Sequence, residues 1–326
     1  MRTNKTGKNK KTEEQPMSLD RLIEAIAEKQ NPTVAGLDPK LDYIPAYLKE
    51  EAYGEFGKTL EGAAHAIWLY NKGLIDALCG VVPAVKPQAA YYEMYGWQGM
   101  QTLAKTIAYA QEKGMFVITD GKRNDIGSTM EAYAAAHLGQ TEIEGDTVRA
   151  FGSDALTVNG YLGSDGITPL LDICGKFDTG MFVLVKTSNP SSGELQNLVL
   201  EGGESIYLHM GKMCEKWGES LPGKYGYSGV GAVVGATYPQ QLTELRAELP
   251  HTFFLVPGYG AQGGTADDIA GAFDNRGLGA VVNSSRGIMC AWKKENCAPE
   301  EYAQAALREA EKMKKLLADV TGKITL

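Results

Sequence analysis

Histidine and cysteine are scarce in this 326-residue chain, with four of the first and five of the second. Cys79, Cys174, Cys214, Cys290 and Cys297 form no CxxC pair and are odd in number, and the histidines form no HxH or HExxH pattern. These absences argue against a zinc centre and a disulfide framework, and they fit reduced thiols in a cytoplasmic protein. No apolar run nears the ~20 residues a membrane-spanning helix needs. Positive charge is not in surplus: the net charge is -8 and the pI about 5.2. That balance argues against nucleic acid or an anionic membrane as the main partner, while leaving room for a small anion in a local basic pocket. The opening residues, MRTNKTGKNKKTEEQP, lack the apolar core of a signal peptide. Residues 1–16 read as a disordered polar tail, ahead of a helical SLDRLIEAIAEK.

What is present suits a globular enzyme: 44% hydrophobic and 22% charged residues. Eight short apolar runs recur: TVAGLD (33–38), VVPAVK (81–86), MFVITD (115–120), ALTVN (155–159), MFVLVKT (181–187), VGAVVG (230–235), FFLVPG (253–258) and LGAVVNSS (278–285). Most are β-branched and apolar at successive positions, as in strands buried on both faces of a parallel sheet. Helix-like segments alternate with them at 57–79, 97–113, 129–138, 203–219, 239–248, 266–274 and 298–317. The pattern predicts an α/β fold, a (β/α)8 TIM barrel forming one domain over 17–326 with insertions. An open doubly wound sheet is the alternative. The least regular stretch, TSNPSSGELQNLVLEGG (187–203), has the composition of a lid.

Polar residues gather where these strands end. Asp38, Lys86, Asp120 with Lys122, Asn159, Lys186 to Asn189, Gln262 and Arg286 all fall there, at the end of a barrel that carries chemistry. In extended chain Asp120 and Lys122 share a face, and Lys86 ends the neighbouring strand. With Asp125 they make an alternating Lys–Asp–Lys–Asp row, in which each cation keeps a carboxylate ionised and each carboxylate keeps a lysine protonated. Such a row presents an anion and an ammonium donor side by side. An ion-pair network closing the barrel mouth is the simpler reading. The seventh and eighth strands end in PGYGAQGG (257–264) and NSSRG (283–287). Barrels bind phosphate at that position, and glycine-rich backbone beside the Arg286 fork suits a phosphate dianion.

These residues resemble a family. DGKRNDIGST (120–129) is similar to the DxKxxDI…T signature of orotidine 5′-monophosphate decarboxylases, and PGYGAQGG with Arg286 to their phosphate-binding end. GLDP (36–39), AVKPQAAYYE (84–93) and TSNPSSG (187–193) extend the resemblance from about Met17 onward, closer to the longer bacterial members than to the compact ones. The resemblance implies conversion of orotidine 5′-monophosphate (OMP) to UMP and CO2, with no cofactor and no metal. It implies that Asp38 and Lys86 bind ribose hydroxyls, with Lys86 also bracing Asp120. Asp120 would face the substrate carboxylate and Lys122 would protonate C6. Ser188 would contact the pyrimidine, and Gln262 and Arg286 the phosphate. Asp125, Ile126 and Thr129 would enter the neighbouring site of a homodimer.

Three other functions fit parts of the pattern. Lys186 ends an apolar strand and could be the amine of a Schiff-base aldolase. A sugar-phosphate decarboxylase or aldolase could use Mg2+ at the Asp120–Lys122 site. A nucleotide-binding protein could keep the pocket without turnover.

Overall fold

The structure, a computed structural model, describes residues 18–260 and 264–326. The tail over 1–16 and Gln262 lie outside them. All eight apolar runs form strands: β1 Thr33–Leu37, β2 Ala84–Pro87, β3 Phe116–Arg123, β6 Ala155–Val158, β7 Gly180–Lys186, β8 Val230–Val234, β9 Phe254–Val256 and β10 Ala280–Ser284. Between β3 and β6 lies an exposed antiparallel hairpin, β4 Thr141–Ile143 and β5 Asp146–Val148. The eight form one closed parallel barrel in the order β1-β10-β9-β8-β7-β6-β3-β2. Closure decides between the two folds the sequence allowed: the chain is a (β/α)8 TIM barrel.

Burial on both faces explains the uninterrupted apolar runs. Val34, Ala84, Phe116, Ile118, Ala155, Phe182, Phe253, Leu255 and Val281 fill the interior. Helix residues pack on the outer faces: Ile67, Tyr70 and Leu74 share a core with Val85 and Val117, and Met130, Leu170 and Leu242 with Leu156, Val183 and Ala232. Each such large apolar side chain contributes about 1.5–3 kcal/mol by leaving water.

The helix Ser18–Lys29 closes one end. Leu19, Leu22, Ile23 and Ile26 recur at helical spacing and join the interior core. Arg21 pins the helix to Asp154 (2.8 Å) and Asp178 (3.2 Å), just before β6 and β7 begin. The plug therefore covers the N-terminal ends of the strands and leaves the C-terminal ends for the site.

The helical segments form close to the expected limits. The one expected from residue 57 starts at Leu60, because Thr59 caps it by accepting from the Gly62 amide at 3.1 Å. Among the described residues, two longer helices come in addition, Ala46–Phe56 and Thr168–Phe177, with single helical turns at Ala90–Glu93, Arg286–Met289 and Ala291–Glu295. The irregular stretch after β7 is partly ordered, with a 3-10 turn at Pro190–Ser192 and a helical turn at Gly193–Gln196.

Candidate active site

Asp120 is the hub of the open end. One carboxylate oxygen accepts from Lys86 Nζ at 2.7 Å and Gln88 Nε2 at 2.9 Å. The other accepts from Lys122 Nζ at 2.5 Å and Thr157 Oγ1 at 2.8 Å. Each donor comes from a strand or its end: β2 supplies Lys86 and leads into Gln88, β3 carries Lys122 and β6 carries Thr157. The Lys86 side chain is 5% exposed and that of Lys122 46%. One lysine is structural in its burial, and the other is open to a ligand.

The electrostatics follow from this packing. Burial pushes the Asp120 carboxyl up, but Lys86 and then Lys122 outweigh burial and hold it well below the usual carboxylate range. Burial would lower Lys86, and Asp120 followed by Asp38 reverses this, so its ammonium is favoured more than usual. The result is a fixed carboxylate with a half-exposed ammonium beside it.

Lys122 reaches Asp120 by a different route from simple alternation. Its φ is 47°, in the left-handed region, and the β3–β6 register shifts between Thr119 and Arg123. Backbone of this kind costs a non-glycine residue about 1–2 kcal/mol. Thr157 supports it, accepting from the Lys122 amide at 3.0 Å while donating to Asp120.

Two cavities meet at this hub. One, of about 410 Å³, is lined by Asp38, Lys40, Asn283, Ser285 and Arg286 together with Lys86 and Asp120. The other, of about 420 Å³, is lined by Lys122, Thr157, Ser188 and Gln196 and the apolar Leu184, Val233 and Leu255, again with Lys86 and Asp120. The first lobe is polar and carries three cations, Lys40, Lys86 and Arg286. The second combines apolar walls with a few polar side chains, a lining that suits a flat ring. In the first lobe Asp38 Oδ1 is buried without a hydrogen-bond partner among the described residues. An orphaned carboxylate oxygen is a ready acceptor for a ligand hydroxyl.

Of the residues singled out in the sequence, Asp38, Lys86, Asp120, Lys122, Ser188 and Arg286 converge on these lobes. Asp125 does not join the row within one chain, since its carboxylate accepts from the Ile126 amide at 2.8 Å. Ile126 is 52% exposed and Thr129 is exposed as well. Lys186 lines neither lobe, being fully buried and donating to Ser192 and Asn197. Gln88, Thr157, Gln196, Lys40 and Tyr91 line the site without having been anticipated. Ser188 owes its place to Gly235 at the end of β8, where a Cβ would lie 2.8 Å from the Ser188 Cα. Among the described residues no group of three His, Cys, Asp or Glu is placed to hold a metal ion. No described helix is long and apolar enough to cross a membrane.

A closed parallel barrel with a Lys–Asp–Lys cluster at its C-terminal mouth and a two-lobed cavity above it defines a barrel enzyme of small, polar ligands. A family model described as orotidine 5′-phosphate decarboxylase / HUMPS family matches residues 71–300. The chain is 47% identical over 292 residues to the orotidine 5′-phosphate decarboxylase of Rhodopirellula baltica, covering 89% of this chain and 94% of the relative. It is 43% identical over 274 residues to that of Caldicellulosiruptor bescii, covering 84% and 90%. Among solved structures, Leishmania donovani OMP decarboxylase superposes with a TM-score of 0.68 at 29% identity, covering 92% of this chain and 99% of that one. The chain belongs to the orotidine 5′-phosphate decarboxylase family and is a carboxy-lyase.

Proposed function

We propose that the chain decarboxylates OMP to UMP, the last step of de novo pyrimidine nucleotide synthesis, in the cytoplasm and without a cofactor. The observation that carries the reading is the meeting of two unlike lobes at Asp120. A nucleoside monophosphate has the matching form: a charged phosphate, a hydroxyl-bearing sugar and a flat ring. Ribose hydroxyls go to Asp38 and Lys86, and the phosphate to Arg286 and Gln262. The ring lies in the second lobe, against Ser188. The C6 carboxylate is then brought towards Asp120 and Lys122.

Loss of CO2 from C6 leaves a carbanion in an orbital that the ring carbonyls stabilise poorly. The Lys122 ammonium stabilises that charge as it develops and then donates its proton to C6. Asp120 repels the substrate carboxylate, and departure of CO2 relieves the repulsion. Lys86 keeps Asp120 ionised throughout. Phosphate binding draws the 187–203 segment over the ring, so that binding at the phosphate and binding at the ring support each other. Two copies of the chain assemble, with Asp125, Ile126 and Thr129 of each directed into the neighbouring site. The exposure of Ile126 and the absence of Asp125 from its own chain's row support this assembly.

The test follows loss of orotate absorbance when purified protein meets OMP in the presence of EDTA. Conversion to UMP with release of CO2 is expected. Binding of OMP without product would replace the reading with that of a nucleotide-binding protein, and turnover abolished by EDTA would replace it with a metal-assisted one.

A further inference from the structure

Lys186, the last residue of β7, is 0% exposed, and no carboxylate among the described residues lies within ion-pair distance of it. Burying an ammonium without a counter-charge costs several kcal/mol. Packing alone does not account for it, because a methionine would fill the same space without that cost.

Both of its hydrogen bonds run to the segment after β7. Nζ donates to Ser192 Oγ at 3.0 Å and to Asn197 Oδ1 at 2.9 Å. It lies 4.2 Å from the centroid of the Tyr238 ring, whose negative face attracts a cation. The Tyr238 hydroxyl in turn accepts from Ser192 Oγ and donates to the Asn189 carbonyl, both at 3.3 Å. The ammonium thus ties residues 192 and 197 to the end of β7, and the Tyr238 ring it faces ties residues 189 and 192 to the segment that follows β8. Burial, the one influence acting on its titration, pulls Lys186 below the usual lysine value.

Beside this ammonium the segment is held mainly by hydrogen bonds, among them Thr237 Oγ1 to the Ser188 carbonyl at 3.2 Å, and not by apolar packing. Leu195, Leu198 and Val199 are 48%, 53% and 67% exposed, so its apolar side chains do not form a core of their own. Yet it supplies Ser188, Asn189 and Gln196 to the ring lobe. Gln196 is set there by a two-point contact with Thr187, accepting from its amide at 3.0 Å and donating to its hydroxyl at 2.8 Å. That contact uses one of its two Nε2 protons, and the other has no acceptor among the described residues.

We propose that Lys186 is a positioning residue for the decarboxylation. Its buried ammonium fastens residues 188–197 and sets Ser188 and Gln196 against the substrate ring. The inference rests on the assignment of the second lobe to the pyrimidine.

Lys186→Met tests it, since it removes the charge and keeps the volume. The variant is expected to keep the wild-type circular dichroism and melting temperature, because apolar replacement of an unpaired buried charge is tolerated. Ser188 and Gln196 touch the ring in ground and transition state alike. KM for OMP and Kd for UMP are therefore expected to rise about tenfold or more, with kcat held within ~3-fold. Limited chymotrypsin digestion is expected to cut within 188–200 several times faster than in wild type. A folded variant with unchanged KM and digestion rate overturns the proposal. So does a fall in kcat at constant KM, which would put Lys186 in the chemistry. Should Lys186→Met fail to fold, S192A/N197A removes the same contacts from the segment's side and must raise KM and digestion alike. If wild type itself does not turn over OMP, the functional reading has failed, and the digestion result alone decides whether Lys186 fastens the segment.

Discussion

Replacing Asp120 with Asn keeps the shape of the side chain and removes the charge that two lysines share. The carboxylate now accepts from Lys86 and Lys122 on different oxygens, at 2.7 and 2.5 Å. An amide has a single acceptor oxygen, so one lysine must lose its partner. If Lys122 loses it, the cost is small, because that side chain is already 46% exposed and regains water. Lys86 cannot do the same at 5% exposure. It also loses the larger of its two favourable charge interactions, retaining Asp38. Removing one partner of a buried pair costs about 3–5 kcal/mol, and with Asp38 offsetting part of this the lower end, ~3 kcal/mol, applies. At ~2 °C per kcal/mol for a chain of this size, calorimetry at pH 7 is expected to show a fall in Tm of roughly 6 °C. The pH dependence has a definite sign. Asp120 titrates lower in the folded chain than in the unfolded one, where its pKa is ~3.9. Its charge contributes stability fully above that value and loses it as pH falls. The gap between wild type and variant is therefore expected to be constant near neutrality and to narrow below about pH 4. A variant at least as stable as wild type at pH 7 would refute the reasoning, because the cluster would then be strained by its charges rather than held by them.

Other perturbations reach other parts of the account. Arg286→Ala is expected to raise KM for OMP by roughly 30-fold or more, the loss of a charge-assisted contact worth ~2–3 kcal/mol; an unchanged KM would remove Arg286 from phosphate binding. Gly235→Ala places a methyl 2.8 Å from the Ser188 Cα. It should cost about 1–3 kcal/mol of stability and raise KM together, and a variant with wild-type Tm and KM would contradict the close approach. His137 is buried against Phe151, ring centroids 4.9 Å apart. Burial, followed by the charge of Arg123, lowers its pKa to about 4. The unfolded chain takes up this proton first, near pH 6.5, so the stabilisation is present above that pH and is lost as pH falls towards 4, with ~2 kcal/mol gone by pH 5. Chemical denaturation across this range measures it, and His137→Phe should flatten the profile; equal slopes in both proteins would exclude His137 as the source.

The barrel was legible because its strands are buried on both sides. Runs such as GAVV and MFVLV have no solvent face to interrupt them, and the eight runs became eight strands. Thr168–Phe177 was not legible, because TPLLDICGKF carries Pro at its start and a glycine near its end, and it follows YLGSDGI without a break in polarity. Hairpin β4–β5 is exposed throughout and offers no apolar alternation. In the site, charge at strand ends pointed to Lys86, Asp120, Lys122 and Arg286. Thr157 escaped notice because a β-branched residue inside a strand reads as strand material, and only its position opposite Asp120 shows its hydroxyl at work. Gln88, bridged to Asp120 just past β2, and Gln196, in a single helical turn, are neutral and lie in pieces too short for any periodicity to mark them. Plain alternation suggested that Asp120 and Lys122 meet, but the chain brings them together through a bulge at Lys122. Lys186 was visible as a strand-end amine, and the fold turned it away from both lobes of the cavity.

The central claim is that Lys122 supplies the proton that ends the reaction. Lys122→Ala removes a half-exposed side chain and should leave Tm within a few degrees of wild type, since exposed ion pairs contribute ~0–1 kcal/mol. Wild type and this variant, compared for UMP formation from OMP with EDTA present, test the claim directly. Rapid turnover by wild type and none above background by the folded variant is the predicted result. A variant with wild-type kcat would contradict the account.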